Sequence, residues 1–214
     1  MANRSIIVKA MMTMPTVSHT PEETLAALKS GKPVVFPTDT LFGLGVSVLH
    51  APSPEILYTI KHREKKKPIA WLVGGIEDLE RYGKVVPDFA FTLARTFWPG
   101  PLTIIVKASS EVPEAFRSAE GTIGLRMPAN ETAHALIREL GCPIATTSAN
   151  LSGQRNTIAF NEIDSAIFAA VGAAISDDEP KSGIASTIVN CASGDHPVLV
   201  REGAITIADI RALS

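Results

Sequence analysis

Apolar residues in this chain fall into short continuous blocks that alternate with longer, spaced ones. The short blocks at 5–8, 33–36, 41–48, 69–73, 102–106, 122–127, 143–145, 173–175, 186–189 and 198–200 read as strands. Between them, helical spacing appears with its own start and stop signals. Thr20 is an N-cap, Pro21 takes the first helical position and Glu23 completes a capping box, with Leu25 and Leu28 as the apolar face and Gly31 at the end. Ser53-Pro54 opens a helix that turns Ile56, Leu57 and Ile60 inward and delivers Lys61 at its C-terminus. Residues 76–82 and 88–98 form two more, followed by the rigid turn Trp98-Pro99-Gly100-Pro101. Asn130 caps a helix whose Ala133, Leu136, Ile137 and Leu140 share a face, closed by Gly141. Residues 162–171 and 207–213 are the last helices. Strands and helices alternate, so the pattern predicts an α/β fold, one sheet flanked by helices, in a single domain over 1–214.

Composition refines this without changing it. At 214 residues, 45% apolar and 20% charged, the chain can bury a substantial core. The apolar block at 5–8 is too short for a membrane span or a signal sequence. Cys142 and Cys191 are the only cysteines and no CxxC occurs, which fits a reducing cytoplasm. A formal net charge of −2 argues against broad, non-specific binding of nucleic acid.

One stretch departs from that balance. Lys61-His62-Arg63-Glu64-Lys65-Lys66-Lys67-Pro68 carries five Lys or Arg residues within seven positions. Part of this has a structural reason, because cations interact well with a helix C-terminus. The concentration also suits an anion site. Gly43 and Gly45 lie inside a strand, where glycine marks close approach of a ligand or another backbone.

Familiar nucleotide and catalytic signatures are missing. There is no GxxxxGK[ST] and no GxSxG, and Gly43-Leu44-Gly45 lacks the third glycine of GxGxxG, with Val48 in its place. The five histidines show no paired metal-ligand spacing, and His134 sits on a helix between two alanines. What remains is a set of hydroxyl, amide and cationic groups at strand ends: Thr38-Asp39-Thr40, Lys61, Arg63, Arg126, the run from Thr146 to Asn150, Ser186-Thr187 and Arg201. Ligands of open α/β sheets bind at such ends. Together these groups suit several anionic oxygens, without a strong nucleophile or a metal cage.

Seven blocks in order carry a resemblance to a known family: Phe36-Pro37-Thr38-Asp39-Thr40-Leu41-Phe42-Gly43-Leu44-Gly45, Lys61-x-Arg63, Trp98-Pro99-Gly100-Pro101-Leu102-Thr103, Gly124-Leu125-Arg126-Met127-Pro128, Ser148-Ala149-Asn150-Leu151-Ser152-Gly153, Ser186-Thr187-Ile188-Val189 and Val200-Arg201-Glu202-Gly203-Ala204-Ile205. The chain resembles the YrdC-like family, whose better characterised members are threonylcarbamoyl-AMP synthases. The resemblance implies a twisted mixed sheet around a large basic cavity. It implies a nucleotidyltransferase that makes threonylcarbamoyl-AMP and pyrophosphate from L-threonine, bicarbonate and ATP, with Mg²⁺ accompanying ATP and no metal held by the protein itself. The product would feed tRNA modification beside the anticodon through partner proteins, with weak direct tRNA binding.

By position, the resemblance assigns Lys61 and Arg63 to catalysis, and Thr40, Arg126 and Thr146 to threonine, with Arg126 at its carboxylate. It assigns Arg63, Lys67, Thr122, Ser148, Asn150, Asn156, Ser186 and Arg201 to the nucleotide. Leu72 stands where the synthases often have histidine. The stretches 122–128 and 200–203 also resemble YciO-type relatives, so a nucleotide- or RNA-binding protein without synthase activity is the alternative.

Overall fold

A computed structural model describes residues 18–62 and 69–213. The expected strand at 5–8 and the basic residues Arg63, Lys65, Lys66 and Lys67 lie outside the described residues. The elements follow in chain order: α1 (Pro21–Lys29), β1 (Val34–Phe36), β2 (Gly43–Ser47), α2 (Glu55–Lys61), β3 (Ala70–Leu72), α3 (Glu77–Tyr82), α4 (Asp88–Phe97), β4 (Leu102–Lys107), β5 (Thr122–Arg126), α5 (Glu131–Leu140), β6 (Ile144–Ser148), α6 (Ser165–Ala170), β7 (Ala173–Ala174), β8 (Thr187–Asn190), β9 (Val198–Arg201) and α7 (Ile207–Arg211). The strands form one mixed sheet in the order β7-β1-β2-β6-β3-β5-β4-β8-β9.

Local sequence sets the helix ends. Thr20 accepts from the Glu23 amide while the Glu23 carboxylate accepts from the Thr20 amide, a reciprocal cap on α1. Asn130 Oδ1 accepts from Ala133 N at 3.0 Å, and Gly141 closes α5 in the left-handed region at φ 71°. Such a cap contributes about 1 kcal/mol. Two expectations need correction. Ile56 is 40% exposed. At 3.6 residues per turn it lies roughly 90° from the stripe formed by Leu57, Ile60 and Lys61. The helix expected at 162–171 begins only at Ser165, because Asp164 is the cap and accepts from Ala166 N at 2.8 Å.

The sheet has two unlike faces. Side chains alternate along each strand. Val35, Leu44, Val46, Trp71, Ala145, Leu125, Ile104 and Val189 point one way and are buried with residues of α2, α3, α4, α6 and α7. Fully burying each Leu or Ile there contributes about 1.5–3 kcal/mol. On the other face only one half is covered. Val34, Phe36, Leu72 and Ile144 pack against Ala27 and Leu28 of α1 and against Ala133, Leu136, Ile137 and Leu140 of α5. The remaining half presents Gly43, Ala70, Thr146, Thr103 and Ile188 to a cavity. The site therefore exists because α1 and α5 stop short of the second half of the sheet.

The two strand glycines have a packing reason. A Cβ at Gly45 would lie 2.6 Å from Ile144 Cγ2 and 2.9 Å from Thr146 Oγ1, and one at Gly43 would lie 3.0 Å from Thr146 Cγ2. At Gly45 the close approach is that of strand β6, while Gly43 also lines the cavity. Among the described residues no helix is long and apolar enough to cross a membrane.

Candidate active site

One end of the cavity is built by the segment between β1 and β2. Thr38 Oγ1 donates to the Leu41 carbonyl at 2.6 Å and accepts from the amides of Thr40 and Leu41. That local turn stands Thr40 beside the last residue of β5. Arg126 donates from Nη1 to Thr40 Oγ1 at 2.9 Å, from Nη2 to Asp39 Oδ1 at 2.6 Å and from Nε to the Gly100 carbonyl at 3.0 Å. Arg126 is buried, with only 7% of the residue exposed. Burial pushes it below its ordinary value, Asp39 opposes that shift, and the positive charge of Arg201 adds to it. The backbone of 182–183 straps this segment down, with Ser182 N donating to Asp39 O and Gly183 N to Thr40 O. Lys181 anchors the strap through Asp177 at 2.5 Å.

The other end is built from β6, β8 and β9. Arg201 Nη2 donates to the Ser186 carbonyl at 2.6 Å, and Ser186 Oγ meets Thr103 Oγ1 at 2.9 Å. Ser148 Oγ donates to Asn150 Oδ1 at 2.5 Å. Beneath this loop sits Lys61, buried at the end of α2. Its ammonium donates to the carbonyls of Ser148 and Asn150, and Asn150 Oδ1 lies 3.2 Å away.

The cavity encloses about 210 Å³ and brings together Thr40, Arg126, Thr146, Ser148, Asn156, Ser186 and Arg201. The resemblance assigned all seven to threonine or the nucleotide, and all but Asn156 also stood in the set read from residue types at strand ends. Three other assigned residues stand elsewhere. Lys61, expected to face phosphate or carbamate, instead holds the 148–150 loop from below, because its stem is buried in α2's inner face. Asn150 does not line the cavity; its amide nitrogen donates to the carbonyls of Leu151 and Gln154. Thr122, at the far end of β5 from Arg126, engages Ser118 Oγ at 2.7 Å. Arg63 and Lys67 are outside the described residues. Among the described lining residues the cations are Arg126 and Arg201, so the strongly basic character expected of the cavity is not present in that set.

Thr38, already singled out within Thr38-Asp39-Thr40, lines the cavity, and so does Thr103, which was not given a site role. Thr103 was hidden inside a β-branched strand, where threonine is ordinary. Alternation would have placed it on the face of Arg126, given the pairing of β4 with β5. Leu72 is paired in register with Arg126 and supplies an apolar wall beside the guanidinium.

The described lining residues offer two cations, several hydroxyls and a floor of small side chains, and among them no nucleophile is paired to a base. Among the described residues no three His, Cys, Asp or Glu side chains cluster as metal ligands. Such a site can bind and orient anionic groups and leave the bond-making to its ligands.

A sequence model of the Sua5/YciO/YrdC family, described as telomere recombination, matches residues 26–203. Threonylcarbamoyl-AMP synthases from Pyrococcus abyssi and Bacillus subtilis are 33% and 34% identical over 86% and 88% of the chain. The chain spans about half the length of these two relatives, 54% of each. A putative threonylcarbamoyl-AMP synthase of Mycobacterium leprae is 34% identical over 87% of the chain and 84% of the relative. Among solved structures, P. abyssi Sua5 complexed with L-threonine superposes with a TM-score of 0.84, 31% identity, 90% of this chain and 56% of that one. Escherichia coli YciO superposes with a TM-score of 0.80 and 27% identity over 89% of this chain and 92% of its own.

Proposed function

The chain belongs to the Sua5/YciO/YrdC family, and on that premise we propose that it joins L-threonine, bicarbonate and ATP into threonylcarbamoyl-AMP, releasing pyrophosphate. It would then be a nucleotidyltransferase, an L-threonylcarbamoyladenylate synthase. The observation that carries this reading is the pairing within one cavity of the Arg126–Thr40 end with the Ser148–Ser186–Arg201 end. The first suits an amino acid's carboxylate and the second a nucleotide's phosphates. The complex of the P. abyssi relative with L-threonine supports the choice of amino acid.

The chemistry needs no protein nucleophile. The amine of threonine adds to the carbon of CO₂ derived from bicarbonate and sheds a proton, giving a carbamate. A carbamate oxygen bonds to the α-phosphorus of ATP. The bond from that phosphorus to the bridging oxygen breaks, and pyrophosphate leaves with the electron pair. Mg²⁺ arrives with ATP as part of the substrate. Arg126 and Thr40 hold the amino acid, with Thr146 alongside. Ser148, Ser186, Asn156 and Arg201 steady the phosphates, together with Arg63 and Lys67. Lys61, with Asn150, shapes the loop that presents Ser148. Fixed donors of this kind act on charge as it develops, without reorganising.

The test is pyrophosphate release. It should require threonine and bicarbonate together and yield no ADP. Serine, lacking one methyl group, should be a poorer substrate by ~1–3 kcal/mol in kcat/KM. Background release with saturating threonine and bicarbonate would remove the synthase reading. The YciO-type alternative, a nucleotide- or RNA-binding protein, is favoured by Leu72 in the wall beside Arg126 and by Lys61 lying under the loop. The product would pass to partner proteins that modify tRNA. With a net charge of −2, direct tRNA binding should be weak and salt-sensitive.

A further inference from the structure

Asp39 is an unassigned carboxylate behind the amino-acid end of the cavity, in contact with its lining residue Arg126. Its Oδ1 accepts from Arg126 Nη2 at 2.6 Å and from the Ala129 amide at 3.1 Å. It thereby ties the β1–β2 segment to both the end of β5 and the turn into α5. Arg126 has five N–H donors. Three are taken by Asp39, Thr40 and Gly100, each from a different direction. One N–H on each terminal nitrogen is left without an acceptor among the described residues. Arg126 lines the cavity and Asp39 does not, so the carboxylate grips the guanidinium from outside the pocket.

We propose that Asp39 is a positioning residue for the amino acid: it fixes Arg126 so that the two remaining N–H groups meet the substrate carboxylate as a fork. This rests on the amino-acid reading of the pocket proposed above. An unheld arginine side chain would have to be ordered by each incoming substrate, which weakens binding; a pre-formed fork removes that cost. Asp39 also keeps a buried cation paired, so the fork persists when no ligand is bound.

The prediction is selective. Asp39→Ala should raise the Kd for L-threonine at least tenfold by calorimetry and raise KM for threonine in parallel, with kcat and the Kd for ATP changing less than threefold. Asp39→Asn keeps an acceptor oxygen at the same distance and should recover most of the threonine affinity. Should Asp39→Ala fail to fold, Asp39→Glu decides: one added methylene displaces the fork and should give the same threonine-specific loss. Unchanged threonine affinity in the Ala or Glu variant overturns the inference. So does an equal loss for threonine and ATP, which would mark a general structural role. A parent protein that binds no threonine overturns the reading of the pocket and this inference with it. A parent that binds threonine beside a variant that binds it equally well overturns the inference alone.

Discussion

The Lys61 ammonium donates to the backbone carbonyl of Asn150 and lies 3.2 Å from its Oδ1, so the last residue of α2 supports the loop after β6 from beneath. Cations at helix ends are common, but one that is 3% exposed and surrounded by loop acceptors is part of the framework. The position that sequence resemblance marks for chemistry is thus also a fold position.

Lys61→Met should therefore lower stability as well as turnover. It leaves the Ser148 and Asn150 carbonyls short of a donor in a buried place, a loss of about 1–3 kcal/mol. Turnover should fall by roughly 10²-fold as the loop loses its shape, comparable to removing one fixed electrostatic donor. Urea unfolding and pyrophosphate release measure the two effects. A variant as stable as the parent would mean that the ammonium does not hold the loop.

Arg126→Lys tests the fork itself. Lysine keeps the charge but offers a point ammonium where Arg126 meets Asp39, Thr40 and Gly100 along separate directions. KM for threonine should rise at least tenfold while KM for ATP stays within about threefold, since the nucleotide end relies on other residues. Threonine saturation curves at fixed ATP check this, and coincident curves for lysine and arginine would show that charge alone suffices.

Much of this site could be read from residue types, and what could not is tertiary pairing. Thr20–Glu23 and Asn130–Gly141 announce helix ends because their partners are local. Thr40, Arg126, Ser148, Ser186 and Arg201 could be gathered because each terminates or adjoins a strand. The pairing of Asp39 with Arg126 spans 87 residues, as does that of Lys61 with Ser148. No spacing encodes such pairs; they follow from β5 and β6 lying beside β3 in one sheet. Gly45 was legible as a close approach, but which neighbour came close required the strand order.

Gly45→Ala should confirm that neighbour. The added methyl would meet Ile144 Cγ2 at 2.6 Å and the Ala145 carbonyl at 3.0 Å, and the backbone cannot give way cheaply. Overpacking of this kind costs about 1–3 kcal/mol. The same methyl presses on Thr146 Oγ1 at 2.9 Å, so threonine affinity should fall with stability. Gly124→Ala is the control: its nearest neighbour would be Thr103 Cγ2 at 3.3 Å, a side-chain methyl, and the unfolding midpoint should move little.

The alkaline side of the stability curve isolates one buried thiol. Burial raises Cys191 from an ordinary value of 9.0 to about 12, and raises Tyr82 from 10.0 to about 12. Both groups hold their proton more tightly when folded. The stability they contribute is complete below the unfolded values and is lost as pH rises toward the folded ones. Cys191 acts first: between pH 8 and 10 the unfolded chain releases its thiol proton while the folded chain keeps it. At 1.36 kcal/mol per pH unit above 9.0, the loss attributable to Cys191 is about 1.4 kcal/mol at pH 10. Tyr82 adds its share between pH 10 and 12. Cys191→Ala lowers stability at pH 8 by creating a small void, yet it should lose about 1.4 kcal/mol less than the parent between pH 8 and 10. Urea midpoints at the two pH values, with reductant present, give the comparison. Parallel losses in parent and variant would mean that the thiol does not stay protonated in the folded chain.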